Sequence, residues 1–384
     1  MLIVAALAVL GAGCETAEPT DTGSGSGSSS GSSPALTGKR VYLAERTPIE
    51  TGSAALLGAF DLVEDGSLAP VSGSPFPLGS LGQGNSLEHA EVCHGFLYVA
   101  TDDHGATPVS ILGYALADSA APVFVSVTPS SRVTHLACYE DRFLYAVSGT
   151  SILAFEVLVD GTLQSTTGHV PVASLAEPRR LEARGGHLFA FSDQDQEVRV
   201  YGLDEASGAL SHPPEGPAWP QAFWLLAGSA SPDGAWFAST DLASTQNRHA
   251  LRLSSVGADG ALAVVPPADI VDPDHLWFEK VSWAGTHLLV TTSSPAQVRS
   301  YDVSASGGVT VPPASVLELD LPVIQDIVVD ASGSRAFLLM QTQDIPVEFS
   351  VAVLDVSSSG VVTLAPGSPV ALGALSATPQ LLVR

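Results

Sequence analysis

The sequence predicts an all-β fold, a seven-bladed β-propeller whose last strand completes the first blade. Three observations carry that expectation. A unit of strand, polar turn and strand recurs through residues 39–384. A second motif follows it at a fixed spacing. The two ends of the region each hold half of one further unit.

The recurring unit reads EHAEVCHGFLYVA from Glu88, THLACYEDRFLYAV from Thr134, RRLEARGGHLFAF from Arg179 and WLLAGSASPDGAWFAS from Trp224. It returns as EKVSWAGTHLLVT from Glu279 and DIVVDASGSRAFLLM from Asp326. Its apolar runs are too short for helices and suit antiparallel strands joined by Gly, Asp or Pro turns. No stretch after residue 38 keeps an i, i+3, i+4, i+7 apolar stripe for three turns, so helices are not expected. Downstream, AFDLVEDGSL (59–68) and AFEVLVDGTL (154–163) share an aromatic residue followed six places later by glycine. Tyr301 to Gly307 and Leu354 to Gly360 keep that spacing, and Tyr201 to Gly208 is one longer. GSPFPLG (73–79) and GSPVALG (367–373) each start seven residues beyond a turn glycine.

The first strand of the unit begins near residues 87, 133, 179, 223, 278 and 324. A seventh copy, PQLLVR from Pro379, lacks the partner that follows the others, and KRVYLAE from Lys39 supplies it. A ring accounts for both: the two termini share one blade. Repeats of this kind override the two domains that length alone would suggest.

Composition narrows the partners. Forty acidic against 15 basic residues give a formal charge of −25. Phosphate backbones are held by Lys and Arg, so nucleic acid is not an expected partner, and anionic lipid headgroups are disfavoured for the same reason. Only 14% of residues are charged, and mean hydropathy is +0.28. With 36 Gly and 27 Pro, the chain reads as β-rich and turn-rich.

The first 38 residues read as an anchor and a leash. Leu2 to Leu10 is an apolar run too short to span a bilayer and of signal-peptide length. The junction Gly11-Ala12-Gly13-Cys14 resembles a bacterial lipobox, which implies a signal peptide over 1–13 and a lipid on Cys14. Residues 14–38 then form a Ser/Gly-rich tether, expected to stay solvated. Its 24 residues from Glu15 would hold a domain at an r.m.s. distance of about 27 Å. Glu15 after the cysteine favours, by resemblance to sorted lipoproteins, the outer membrane of a bacterial envelope. Gly27-Ser28-Ser29-Ser30-Gly31 fits G-x-S-x-G but lacks the flanking strand and helix of a nucleophile elbow.

Beyond Cys14 there are only Cys93 and Cys138. They are expected on different blades as two buried free thiols, a bridge being the alternative in an oxidising compartment. No metal or cofactor site is expected. The ten His show no H-E-x-x-H spacing, and the DQDQE run (193–197) lacks the glycine and distal glutamate of an EF-hand. DPDH (272–275) reads as loop. The five tryptophans read as packing between blades, with Trp224 and Trp277 able to border the channel.

In a propeller the first strand of each blade lines a central channel, and the leading ends of these strands ring one mouth. At those ends stand His89, His135, Arg180, Trp224, Glu279, Lys280 and Asp326. The D-G-x-L turn, the GSPFPLG step and the SPDG turn (231–234) resemble the seven-bladed lactonase family, which includes 6-phosphogluconolactonase-like and carboxymuconate-cyclase-like proteins. That resemblance covers essentially all of 39–384. His135 and Arg180, on adjacent blades, resemble the His/Arg pairing of the family's site. The resemblance implies His135 as a base activating water, Arg180 as the oxyanion partner and Glu279 as an orienting carboxylate. His89, Trp224, Lys280 and Asp326 are then ligand contacts. Two functions compete: a scaffold binding a small molecule or protein at the channel mouth, and a lactone hydrolase or cyclase. Fold alone does not choose between them.

Overall fold

The computed structural model describes residues 40–45, 55–78, 85–103, 110–116, 121–130, 132–166, 170–171, 180–192, 197–211, 223–243, 248–266, 270, 277–320, 323–375 and 379–383. Residues 1–39, with Cys14 and the tether, lie outside them. The described residues contain no helix. They form seven small antiparallel sheets, the blades of a seven-bladed β-propeller. The inner strands are Gln380–Val383, Asn85–Cys93, Val133–Tyr139, Arg180–Arg184, Phe223–Ala230, Phe278–Ala284 and Val323–Val329, for blades one to seven in that order. Each neighbours the next around the ring, and the seventh neighbours the first.

Ring closure follows the sequence expectation. Gln380–Val383 pairs antiparallel with Arg40–Ala44, Tyr42 opposite Leu382, so blade one is assembled from both ends of the region. Leu381 and Leu382 are buried there with Val41, Tyr42 and Leu43.

The sequence motifs are contacts between blades. In the turns after the third strands, Asp65 Oδ1 accepts the Ser67 N–H (2.9 Å) and hydroxyl (2.7 Å), and Asp160 does the same for Thr162. These are the short-range Asp-to-backbone bonds that fold such turns. The glycine that follows the aspartate serves the neighbouring blade. Gly161 has φ +80°, and a Cβ there would fall 2.4 Å from the Phe96 ring of the preceding blade; Gly307 meets Trp236 the same way. Tyr98 then donates its hydroxyl to Gly161 O (3.1 Å) and Tyr145 to Gly208 O (3.0 Å). At Gly161, Gly208 and Gly307 the aromatic-to-glycine spacing is therefore the register that seats the turn on an aromatic of the blade before it, while Gly66 packs on Ala365. The GSP step acts within its own blade, where Ser74 Oγ accepts the Ala59 N–H (2.8 Å) and Ser368 Oγ the Val353 N–H (2.6 Å). Both hydroxyls cap a third strand where its outer partner breaks in two.

Among the described residues blade four has three strands and one bridge, Leu203 to Leu210. One finding departs from the sequence reading. Cys93 and Cys138 form a disulfide, with Cα atoms 5.6 Å apart, and are not free thiols. They do belong to different blades. The inner strands of blades two and three converge near the axis, however, and the two side chains meet across that seam.

Candidate functional site: the channel mouth

Among the described residues, five of the seven inner strands carry a β-bulge at corresponding places. The register steps past Glu88, Thr134, Leu226 and Gln325, and on blade six Glu279 and Lys280 together face Thr291. A bulge bends its strand and re-aims side chains, and such features collect beside functional sites. The bulges lie where the sequence placed the mouth.

From blade one to blade five, polar side chains of the inner strands cross each seam, at the mouth for Gln380, His89 and His135 and nearer the trailing end for Glu182. Gln380 Oε1 accepts the Ala90 N–H (2.8 Å) and its Nε2 donates to Ala90 O (2.8 Å). The Leu136 N–H donates to His89 Nδ1 (3.2 Å), and the Leu181 N–H donates to His135 Nδ1 (3.2 Å). Glu182 accepts the Ser229 hydroxyl and the Ala230 N–H, each at 3.2 Å. Each acceptor serves the backbone of the next inner strand. The rings of His89 and His135 lie against each other, centroids 3.5 Å apart, and His89 Nε2 is 2.9 Å from Gln380 Nε2. Arg180 extends over the Phe191 ring at 5.7 Å.

Blades five to seven differ. Thr240 Oγ1 donates to Glu279 O and the Trp283 indole donates to Ser229 O. Thr291 Oγ1 accepts the Lys280 N–H at 3.1 Å. The two threonine bonds use the backbones of Glu279 and Lys280; among the described residues their half-buried charged ends have no bonding partner. Asp326 accepts the N–H of Ile327 (2.9 Å). Trp224 lies on the blade-five inner strand, opposite Leu242, and its side chain lies outside the described residues.

The structure therefore brings His89 and His135 together on adjacent blades, with Arg180 on the next. Glu279, Lys280 and Asp326 stand on blades six and seven, across the ring. Gln380, Glu182 and the bulge residues Glu88, Thr134 and Gln325 were missed. A signal for Gln380 existed: it occupies in the last copy of the unit the position of His89 and His135.

Deeper in the channel, Glu91 follows His89 on the same strand. Burial pushes its carboxyl up to about 8, against an opposing pull from the Arg184 charge and the Val92 N–H; Asp141 adds a smaller push upward. Among the described residues, one group has metal-ligand spacing, formed by Cys93, Cys138 and Asp141. Both sulfurs are taken up in the disulfide, which leaves one carboxylate. Of the DQDQE run only Glu197 is described, and it pairs with Arg199 at 2.6 Å. DPDH and Trp219 lie outside the described residues.

No family model and no curated protein matches the sequence. Solved structures do match the fold. One is a protein from Lactobacillus plantarum, 14% identical, with a TM-score of 0.62 over 90% of this chain and 98% of that one. Another is described as a candidate 6-phosphogluconolactonase from Bacteroides uniformis, 12% identical, TM-score 0.63, covering 90% of this chain and 99% of that one. A third, a candidate 6-phosphogluconolactonase from Bacteroides fragilis, is 13% identical with a TM-score of 0.60 over 91% and 98%. At these identities the likeness is one of fold.

Proposed function

We propose that the chain is a lipid-anchored, extracytoplasmic, lactonase-like propeller that binds a ligand or partner protein at its channel mouth. The observation that carries this reading is the hydrogen bond from the Leu181 N–H to His135 Nδ1. A general base needs a free lone pair within reach of the proton it takes. In the neutral ring Nδ1 is spent on the blade seam, and Nε2 then carries the hydrogen. Glu279, the orienting carboxylate of the enzymatic reading, belongs to a blade three places away. Among the described residues, what remains exposed to a ligand is a polar mouth without an activated nucleophile.

The Cys93–Cys138 disulfide supports an oxidising compartment, since such bonds persist outside the cytosol. Cys14 would hold the domain to the membrane, and its acidic surface would keep it off anionic headgroups. The alternative is a lactone hydrolase using His135 and Arg180.

One assay separates the two. The purified protein is expected to turn over simple lactones no faster than buffer does, while a metabolite-library thermal shift finds a stabilising ligand. Enzymatic turnover that falls by about 10² or more in both His135→Ala and Arg180→Ala, each still folded, would establish the hydrolase instead. The anchor has a separate test. Cys14→Ala should release a folded domain to the soluble fraction, and equal membrane partitioning of both forms would remove the lipid from this reading.

A further inference from the structure

Trp277 is 55% exposed, although a tryptophan usually buries most of its surface. It immediately precedes the inner strand of blade six and so stands at the mouth end. Its ring is held in place. The indole stacks on His249, centroids 5.2 Å apart and planes 14° from parallel. His249 sits near the start of the third strand of blade five, Arg248–Val256, which begins at the same end as an inner strand. It is buried (9% exposed), and its Nδ1 lies 2.7 Å from Phe278 O. A carbonyl only accepts, so Nδ1 carries the hydrogen and, in the neutral ring, Nε2 keeps its lone pair. Among the described residues nothing bonds that Nε2. Two residues beyond Trp277 comes the bulge pair Glu279–Lys280, whose charged ends also have no described partner.

A pre-oriented apolar plate, a ring-nitrogen acceptor, a carboxylate and an ammonium therefore lie at or beside the leading end of the blade-six inner strand. We infer that this group, Trp277 with His249, Glu279 and Lys280, is a binding site for a neutral saccharide. The assignment rests on the reading of the mouth as a ligand face and names the ligand class. The C–H face of a sugar ring covers an indole, and its hydroxyls both donate and accept. His249 Nε2 and Glu279 take hydroxyl hydrogens; Lys280 gives one to a ring or hydroxyl oxygen. A planar aromatic would use the plate and leave the polar groups idle. An anionic ligand meets a protein of charge −25, with Glu279 beside Lys280.

The test is saturation-transfer NMR and calorimetry on the whole protein with cellobiose, maltose, chitobiose and trehalose, and with glucose 6-phosphate as the anionic counterpart. At least one neutral sugar should bind and the phosphate should not. Trp277→Ala should weaken binding by about tenfold or more, and Trp277→Phe by less, with melting temperatures unchanged because the indole is largely exposed. Three outcomes overturn the inference: no neutral sugar binds, the sugar phosphate binds better, or Trp277→Ala binds equally well. If the sugars fail while a metabolite library yields another mouth ligand, the saccharide assignment falls and the ligand-face reading stands. If neither yields a ligand, both fall.

Discussion

The seams of blades one to five and those of blades five to seven use the same kinds of residue for opposite purposes. In the first group Gln380, His89, His135 and Glu182 reach across to the next inner strand and satisfy its backbone. Blades two and three are further joined through Cys93 and Cys138. In the second group the crossing bonds run from Thr240 and Trp283 to carbonyls, and among the described residues the charged ends of Glu279 and Lys280 make no bond. A bulge does not separate the groups, since the strands of His89 and His135 carry one as well. A polar residue at a propeller mouth is thus mortar or bait according to whether its side chain or only its backbone takes part in the seam.

That contrast can be broken at several strengths. The largest effect should come from removing Pro379 to Arg384, which strips blade one of its inner strand and exposes a sheet edge. Urea unfolding should show a loss beyond the roughly 0.5–3 kcal/mol of an ordinary point substitution. An unchanged midpoint would mean that the ring does not depend on this strand. Next comes the staple. Cys93 and Cys138 are 45 residues apart, and closing a loop of that size is worth up to about 4 kcal/mol in the chain-entropy account. The double Cys→Ser variant should fall by a few kcal/mol under oxidising conditions and match the wild type under reducing ones.

The third test compares the two groups of seams directly. Gln380→Ala leaves both the N–H and the C=O of Ala90 without this partner, a loss of about 1–3 kcal/mol. Lys280→Ala removes no bond among the described residues and should cost less than about 0.5 kcal/mol. Equal losses would abolish the distinction.

The last effect concerns Glu91 and shows as a slope with pH rather than as a fixed loss. Its carboxyl rises from 4.5 to about 8 on folding, so between those values the native state binds more protons than the unfolded chain. The contribution to stability is whole below about 4.5 and is lost as pH climbs to about 8. Chemical unfolding across that window should show this decline, and Glu91→Gln should flatten it. A slope unchanged in the variant would mean that another group titrates there.

Much of this architecture was legible because a propeller repeats its solutions. The aromatic-to-glycine spacing of Phe155 and Gly161 records a contact between blades, so it survives where little else does. The closing strand was visible because PQLLVR and KRVYLAE each lack a partner nearby. The site was less legible. His135 and Gln380 make like bonds to the next strand, yet histidine carries a chemical reputation and glutamine does not. The bulges are shifts of one residue in strand pairing, which apolar periodicity does not register. The disulfide was misjudged because blade membership was taken for distance, although inner strands crowd together at the axis.

The shared blade also bears on how the molecule comes into being. Every nascent chain that stops short of Gln380 carries Arg40–Ala44 without its inner neighbour. Six blades can take shape in turn, but the circle stays unlocked until Gln380–Val383 has joined Arg40–Ala44. On the proposal that the domain is exported, a chain held short of that strand would keep its ring open during the passage.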